Sequence, residues 1–262
     1  MIGLSLKIGD IVTRISHNHD IVFKIIELDD TNAMLKGVDL RLYADSYVDD
    51  LVKTDVNSSS DKKIIEENVR QLNIDRSQYF YLPGKILHLD GDSDYLERCM
   101  RFYKDMGVKA NGFNINESYM SDKIINLLEE YEPDILVITG HDAYYKKKND
   151  INDINNYQNT INFIETVREA RHFEKSQDKL IIIAGACQSN YEELIKAGSN
   201  FASSPKRINL HALDPAIIAT SIALSDRNKS IDLIKLISKT KYGKDGIGGI
   251  ITNGTMYVGY PR

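Results

Sequence analysis

The rhythm of hydrophobic and polar positions changes near residue 80. Before it, "IGDIVTRIS", "HDIVFKIIELD" and "NAMLKGVDLRLYAD" carry β-branched residues in partial alternation, with turn signals at Gly9, Asp29-Asp30 and Gly37. Short strands at this spacing predict a small SH3-like β-barrel domain over residues 1–54. Residues 55–79 start polar in "NSSSDKK" and become periodic, with Ile64, Ile65, Val69 and Leu72 on one helical face, so they read as a charged linker or bridging helix. From residue 80 to 262 the aliphatic runs "KILHL", "DILVIT" and "LIIIA" alternate with helical patterns such as "DYLERCMRFYKDMG", "YMSDKIINLLEEYEP" and "INNYQNTINFIETVREARHFE". Continuous apolar strands separated by helices predict an α/β domain with a mostly parallel, flavodoxin-like sheet and helices on both faces.

End signals place two later helices. "SNYEELIKAG" stops at Gly198, and "DPAIIATSIALS" opens with Asp214 as N-cap and Pro215 at the first helical position. Near the carboxyl end, Asn253-Gly254 between strand-like runs predicts a hairpin. The surrounding glycines lack the GxxxxGK[ST] spacing that cradles phosphate, so no nucleotide is expected.

Composition narrows the function classes. The chain has 262 residues, 42% of them hydrophobic, enough for a sizeable core. Its net charge of -5 argues against a broad nucleic-acid surface. No apolar run approaches the roughly 18 residues of a membrane span. "MIGLSLKIGD" lacks the apolar region of a secretory leader. Two cysteines do not make a disulfide framework, so a reduced, intracellular protein is expected. Without paired ligand spacing, neither a metal nor another cofactor is expected.

The candidate chemistry sits where strands should end. Cys187 follows "LIIIAGA" and precedes a helix start near Ser189 or Asn190; binding groups in parallel sheets collect at such carboxyl ends. An unperturbed thiol is only about 3% ionised at neutral pH, so a nucleophile there needs a base or positive charge. Taken singly, Cys187 reads equally as a small buried hydrophobe. Cys99 shares a helical face with Tyr95, Phe102 and Met106 and reads as packing. "DILVITGHDAYY" repeats the Cys187 design: an aliphatic run, a break at Thr139-Gly140, then His141. His141 lies 46 positions before Cys187, room for one crossover helix and close to the separation of about 50 in caspases. Gly140 precedes this histidine where the caspase plan has glycine after it.

Here the chain resembles the YabG family of sporulation-specific cysteine peptidases. The matching blocks are "LPGKILHLDGDSDYL", "YEPDILVITGHDAY", "IIIAGACQSNYEELIKAGSNFASSPKRINLHALDP" and "GIGGI", joined by "KIGDIVTRIS" and "LRLYADSYVDDLV". The likeness covers nearly the whole chain and is weakest over residues 54–78. It implies proteolysis of spore coat and cortex-associated proteins in the mother-cell cytoplasm, or at the coat itself. His141 and Cys187 fall on the positions to which the family's catalysis is ascribed. Fold and dyad order are also similar to the caspase, legumain and clostripain group, a fold-level analogy.

On this basis Cys187 is expected to attack the scissile carbonyl and His141 to handle protons. Backbone N–H groups near Cys187 and in the Gly140–Asp142 turn would hold the oxyanion, with Gln188 and Asp142 orienting the pair. Asp90 and Asp92 in "HLDGDSD" either pair with a basic substrate side chain or form a turn and helix cap. "SSPKRINLHALDP" reads as a substrate loop; its Ser203 and Ser204 have no local base and are not nucleophile candidates. Self-processing at basic positions such as Lys62, Lys63, Arg70 and Arg76 is a further expectation. Two rivals stay open: an amidotransferase-like or DJ-1-like enzyme using His211 as base, and a non-catalytic coat-assembly module.

Overall fold

A computed structural model describes residues 6–55, 59–70, 77–145 and 150–261. It divides into two compact units, Met1–Glu66 and Glu67–Arg262.

In the first unit β1 (Ile11–Arg14), β2 (Phe23–Leu28), β3 (Asn32–Gly37), β4 (Tyr43–Tyr47) and β5 (Leu51–Lys53) form one antiparallel sheet ordered β4-β3-β2-β1-β5. Alternation along the strands turns Val12, Phe23, Ile25, Ala33, Leu35 and Leu51 into one apolar cluster. A register shift between Ile25 and Glu27 bends β2 against β3. Helix α1 covers Ser59–Arg70, within the stretch expected to be a linker or helix. Lys63 is exposed on it, while Ile64 and Ile65 are half-buried. Leu72, Arg76 and the side chains of Lys62, Val69 and Arg70 lie outside the described residues.

The second unit carries a mixed sheet. Its elements are β6 (Phe80–Leu82), β7 (Ile86–Asp90), α2 (Ser93–Asp105), β8 (Ala110–Asn114), α3 (Met120–Tyr131) and β9 (Ile135–Thr139). There follow α4 (Thr160–Phe173), β10 (Ile181–Ala184), α5 (Tyr191–Ala197), β11 (Phe201–Ser203) and α6 (Asp214–Ala223). The last are α7 (Leu233–Ile237), β12 (Ile247–Gly249) and β13 (Tyr257–Gly259). The six-stranded sheet runs β12-β11-β10-β9-β7-β8, parallel from β8 to β11 with β12 antiparallel at one edge. The chain is thus a mixed α/β protein, as the alternation predicted.

The crossover from β7 to β8 runs one way along the sheet, and those after β8 run the other. Right-handed crossovers in opposite directions put their helices on opposite faces. Leu87, Leu89, Leu136, Ile138, Ile182 and Ala184 accordingly meet α3, α4 and α5 in one core. On the other strand parity His88 bonds Tyr103 of α2, and Cys99 lies against the Ala212 carbonyl, fully buried as packing. The reversal leaves a topological switch point between the carboxyl ends of β7 and β9, the usual place for a ligand in such sheets.

Two local expectations need correction. Asp214 is already in the first turn of α6, and its carboxylate accepts from the His211 and Lys241 N–H groups instead of capping the helix. Asn253-Gly254 does not close a hairpin: β13 pairs with β6 and β12 with β11. The segment between them lies instead along residues 225–231, with Ile231 N–H on the Thr252 carbonyl and Met256 N–H on that of Ser225. A Cβ at Gly254 would collide with the Ser225 carbonyl, so this close approach, not a turn, requires glycine.

Candidate active site

β7 and β9 end side by side, with Asp90 opposite Thr139, and leave through Gly91 and Gly140. Neither glycine is incidental. A Cβ at Gly91 or at Gly140 would collide with the Glu117 carboxylate, meeting Oε1 first in both cases. Glu117, from the loop after β8, is therefore wedged against both strand exits. Its Oε1 accepts the His141 backbone N–H at 2.8 Å. Burial pushes the Glu117 carboxyl above the usual glutamate value, with the His141 and Glu117 N–H groups opposing and the nearby Asp90 and Asp142 charges adding to the rise.

The His141 imidazole sits between two carboxylates. Nε2 lies 3.4 Å from Asp92 Oδ2 and Nδ1 3.9 Å from Glu117 Oε1, while the Tyr95 ring is 6.0 Å away centre to centre. Asp92 is also the N-cap of α2: its Oδ1 accepts the Asp94 and Tyr95 N–H groups. Asp90 is fully buried, taking the Asp92 N–H on Oδ1 and the Thr139 hydroxyl on Oδ2, with His88 Nε2 at 3.6 Å.

Register brings the exits of β9 and β10 side by side. Ile138 of β9 pairs with Ala184 of β10, so His141 and Cys187 stand three residues beyond the same rung of neighbouring parallel strands. Such strands run about 4.8 Å apart. Asp142 ties the two exits together. Its carboxylate accepts from the hydroxyls of Ser189 and Thr160 and the N–H groups of Asn159 and Ala143, and Ser189 Oγ in turn accepts the Ala186 N–H at 2.9 Å. Burial raises the Asp142 carboxyl, and these four donors resist the rise. The Cys187 loop turns through Gly185 at φ 103° and Gln188 at φ 59°.

Cys187 is 3% exposed, and the Leu210 N–H donates to its Sγ at 3.2 Å. Gln188 fastens the same loop pair: its N–H reaches the Ile208 carbonyl, its Oε1 accepts the Tyr144 N–H and its Nε2 donates to Asn209. The N–H groups of His141 and Gln188 are thus both engaged within the protein. Ser203 and Ser204 are buried, their hydroxyls donating to the Gly185 and Ile208 carbonyls. His211 follows Leu210 directly, and its Nδ1 accepts the Leu213 N–H. Glu117 went unseen in the sequence, and Ser189 reads there only as a helix start; "NINESYM" and "CQSNYEE" carry no spacing that marks a carboxylate wedge or a loop latch.

The profile of the family described as YabG peptidase U57 matches residues 7–261. The chain belongs to this YabG peptidase family. It is also 41% identical over 286 aligned positions to a Bacillus subtilis (strain 168) protein named sporulation-specific protease YabG, spanning 98% of this chain and 99% of that one. The match of a YabG-family profile across the chain takes in Asp90, Asp92 and Glu117 and the Cys187 loop. Among the described residues of this peptidase-family chain, no helix is long and apolar enough to cross a membrane.

Proposed function

We propose that this chain is a sporulation-specific cysteine endopeptidase that processes spore coat and cortex-associated proteins, with Cys187 as nucleophile and His141 as acid and base. The observation that carries the proposal is the equal offset of His141 and Cys187 beyond paired residues of adjacent strands, with Asp142 and Ser189 joining the two loops. The name of the Bacillus subtilis relative supports the sporulation setting.

In this scheme Sγ attacks the scissile carbonyl carbon, the C–N bond breaks, and the leaving amine takes a proton from the imidazolium. Water then attacks the thioester, its proton passes to the imidazole, and the C–S bond breaks to restore the thiolate. The Leu210 N–H on Sγ favours that thiolate, since hydrogen bonds to a charged form stabilise it. The Gln188 N–H is held by the Ile208 carbonyl and the His141 N–H by Glu117, so substrate must displace part of segment 204–210 to free the first and the Glu117 carboxylate to free the second before an oxyanion can be held there.

A preference for Arg or Lys before the cut belongs to the same proposal. It is supported by three buried carboxylates, Asp90, Asp92 and Glu117, gathered at one strand exit, which would act on a substrate cation through their field. The catalytic unit is read as a caspase-like domain over 80–262, supported by the parallel strand order and the dyad order. Residues 1–54 are read as an SH3-like barrel, supported by the order β4-β3-β2-β1-β5 and the single helical turn before β5. Residues 55–79 are the linker. The mother-cell cytoplasm, or the coat, is the proposed place of action.

The test is cleavage of a purified coat precursor. Cys187→Ala should abolish it, and Cys99→Ala should leave most of it. Wild-type cleavage by Cys187→Ala would end the proposal.

A further inference from the structure

Resting on the cysteine-peptidase reading, the surroundings of His141 point to one more participant. We propose that Asp92 is the positioning residue of His141: it faces Nε2, leaves Nδ1 as the nitrogen that exchanges protons, and stabilises the imidazolium that forms during turnover.

Capping a helix needs one carboxylate oxygen, and Asp92 uses Oδ1 for both cap bonds. Oδ2 faces the imidazole, 3.4 Å from Nε2, at ion-pair distance and short of hydrogen-bond geometry, a gap that protonation of the ring would draw closed. Because Asp92 is 5% exposed, water screens this charge little. The carboxylate is itself backed by a buried chain of groups. The Asp92 N–H donates to Asp90 Oδ1, Asp90 Oδ2 meets the Thr139 hydroxyl and His88, and His88 Nδ1 stands 2.9 Å from the Tyr103 hydroxyl. A ligand or catalytic histidine oriented by a carboxylate through its far nitrogen is a recurrent arrangement, and it fixes which nitrogen carries the mobile proton.

The other groups facing the ring do different work. Glu117 Oε1, 3.9 Å from Nδ1, is beyond hydrogen-bond distance and takes the His141 main-chain N–H, so it sets the backbone rather than the ring. Asp142 spends its carboxylate on Thr160, Asn159, Ala143 and Ser189. The Tyr95 ring stands 6.0 Å away, tilted 48° to the imidazole. During acylation the Nδ1 proton passes to the departing amine while Nε2–H stays on Asp92; during deacylation the proton of the attacking water returns to Nδ1.

Asp92→Asn separates positioning from capping, because its amide oxygen still accepts the α2 N–H groups while the charge beside Nε2 is gone. With a coat-precursor peptide, kcat should fall roughly 10–100-fold, the range for lost supporting groups, and by more than KM rises from the lost negative field. The alkaline limb of kcat/KM should move down by about one pH unit, as when an opposite charge leaves a histidine. Asp92→Ser, which also caps, repeats the measurement if the amide weakens the fold. An unchanged kcat and alkaline limb in a folded variant would overturn the assignment. Cys187→Ala is run alongside: if it still cleaves, the reading beneath fails; if it is inactive while Asp92→Asn keeps the wild-type profile, only the role of Asp92 fails.

Discussion

Ser189→Ala tests whether the two loops act as one unit. Ser189 is fully buried, and its hydroxyl alone links the Ala186 N–H at 2.9 Å to Asp142 Oδ2 at 2.8 Å. Removing it strands one buried N–H and takes one of four donors from a buried carboxylate. Each unsatisfied group costs about 1–3 kcal/mol, so a loss of about 3 kcal/mol is expected. At roughly 2–4 °C per kcal/mol for a domain of this size, Tm should drop by about 6–12 °C. The remaining three donors should keep Asp142 in place, so the protein should still fold. The consequence for chemistry is a looser Cys187 loop relative to His141. Misplacement of about 1 Å costs on the order of 100-fold, so kcat/KM should fall roughly 10–100-fold. Urea unfolding followed by circular dichroism reads the first effect, and peptide cleavage at a temperature where the variant is folded reads the second. A variant within about 0.5 kcal/mol of wild type, and as active, would refute the latch, since an ordinary surface change is that small.

Two other perturbations discriminate further. His141→Ala should remove peptidase activity almost completely, whereas His211→Ala should reduce it modestly; the reverse order would favour the amidotransferase-like alternative, which the contact between Leu210 and Sγ keeps in view. Glu117→Gln should stabilise the protein at neutral pH while keeping an acceptor for the His141 N–H. The sign follows from the raised native pKa of Glu117: its contribution is fully favourable below the unfolded value and is lost as pH rises through the native one. The advantage of the Glu117→Gln variant over wild type should therefore vanish on acidification below the ordinary glutamate value; a stability difference independent of pH in urea titrations would contradict it.

Much of this architecture was legible because buried parallel strands advertise themselves. "ILHLD", "ILVIT" and "IIIA" are short, mostly aliphatic runs bounded by Asp or Gly, and they are β7, β9 and β10. That His141 and Cys187 follow their strands at equal distance was visible for the same reason. β8 was not, because "ANGFN" is an edge strand whose residues are only half-buried, so it lacks an apolar signature. The role of Asn253-Gly254 was hidden for another reason: turn chemistry is local, whereas the close approach to Ser225 depends on a distant part of the chain. Glu117 escaped because its importance lies in what it touches, two glycines and one backbone N–H brought together by three separate loops. Asp92 was readable as a cap, and its second oxygen acquired a partner only once β7 and β9 were neighbours.

The most direct measurement is mass mapping of a peptide-based, thiol-reactive probe that carries Arg at the position before the cut. The account predicts covalent labelling of Cys187 well ahead of the fully buried Cys99, and loss of that labelling in His141→Ala. Equal labelling of both cysteines, or labelling of Cys187 that is indifferent to His141, would contradict a shared rim of thiol and imidazole.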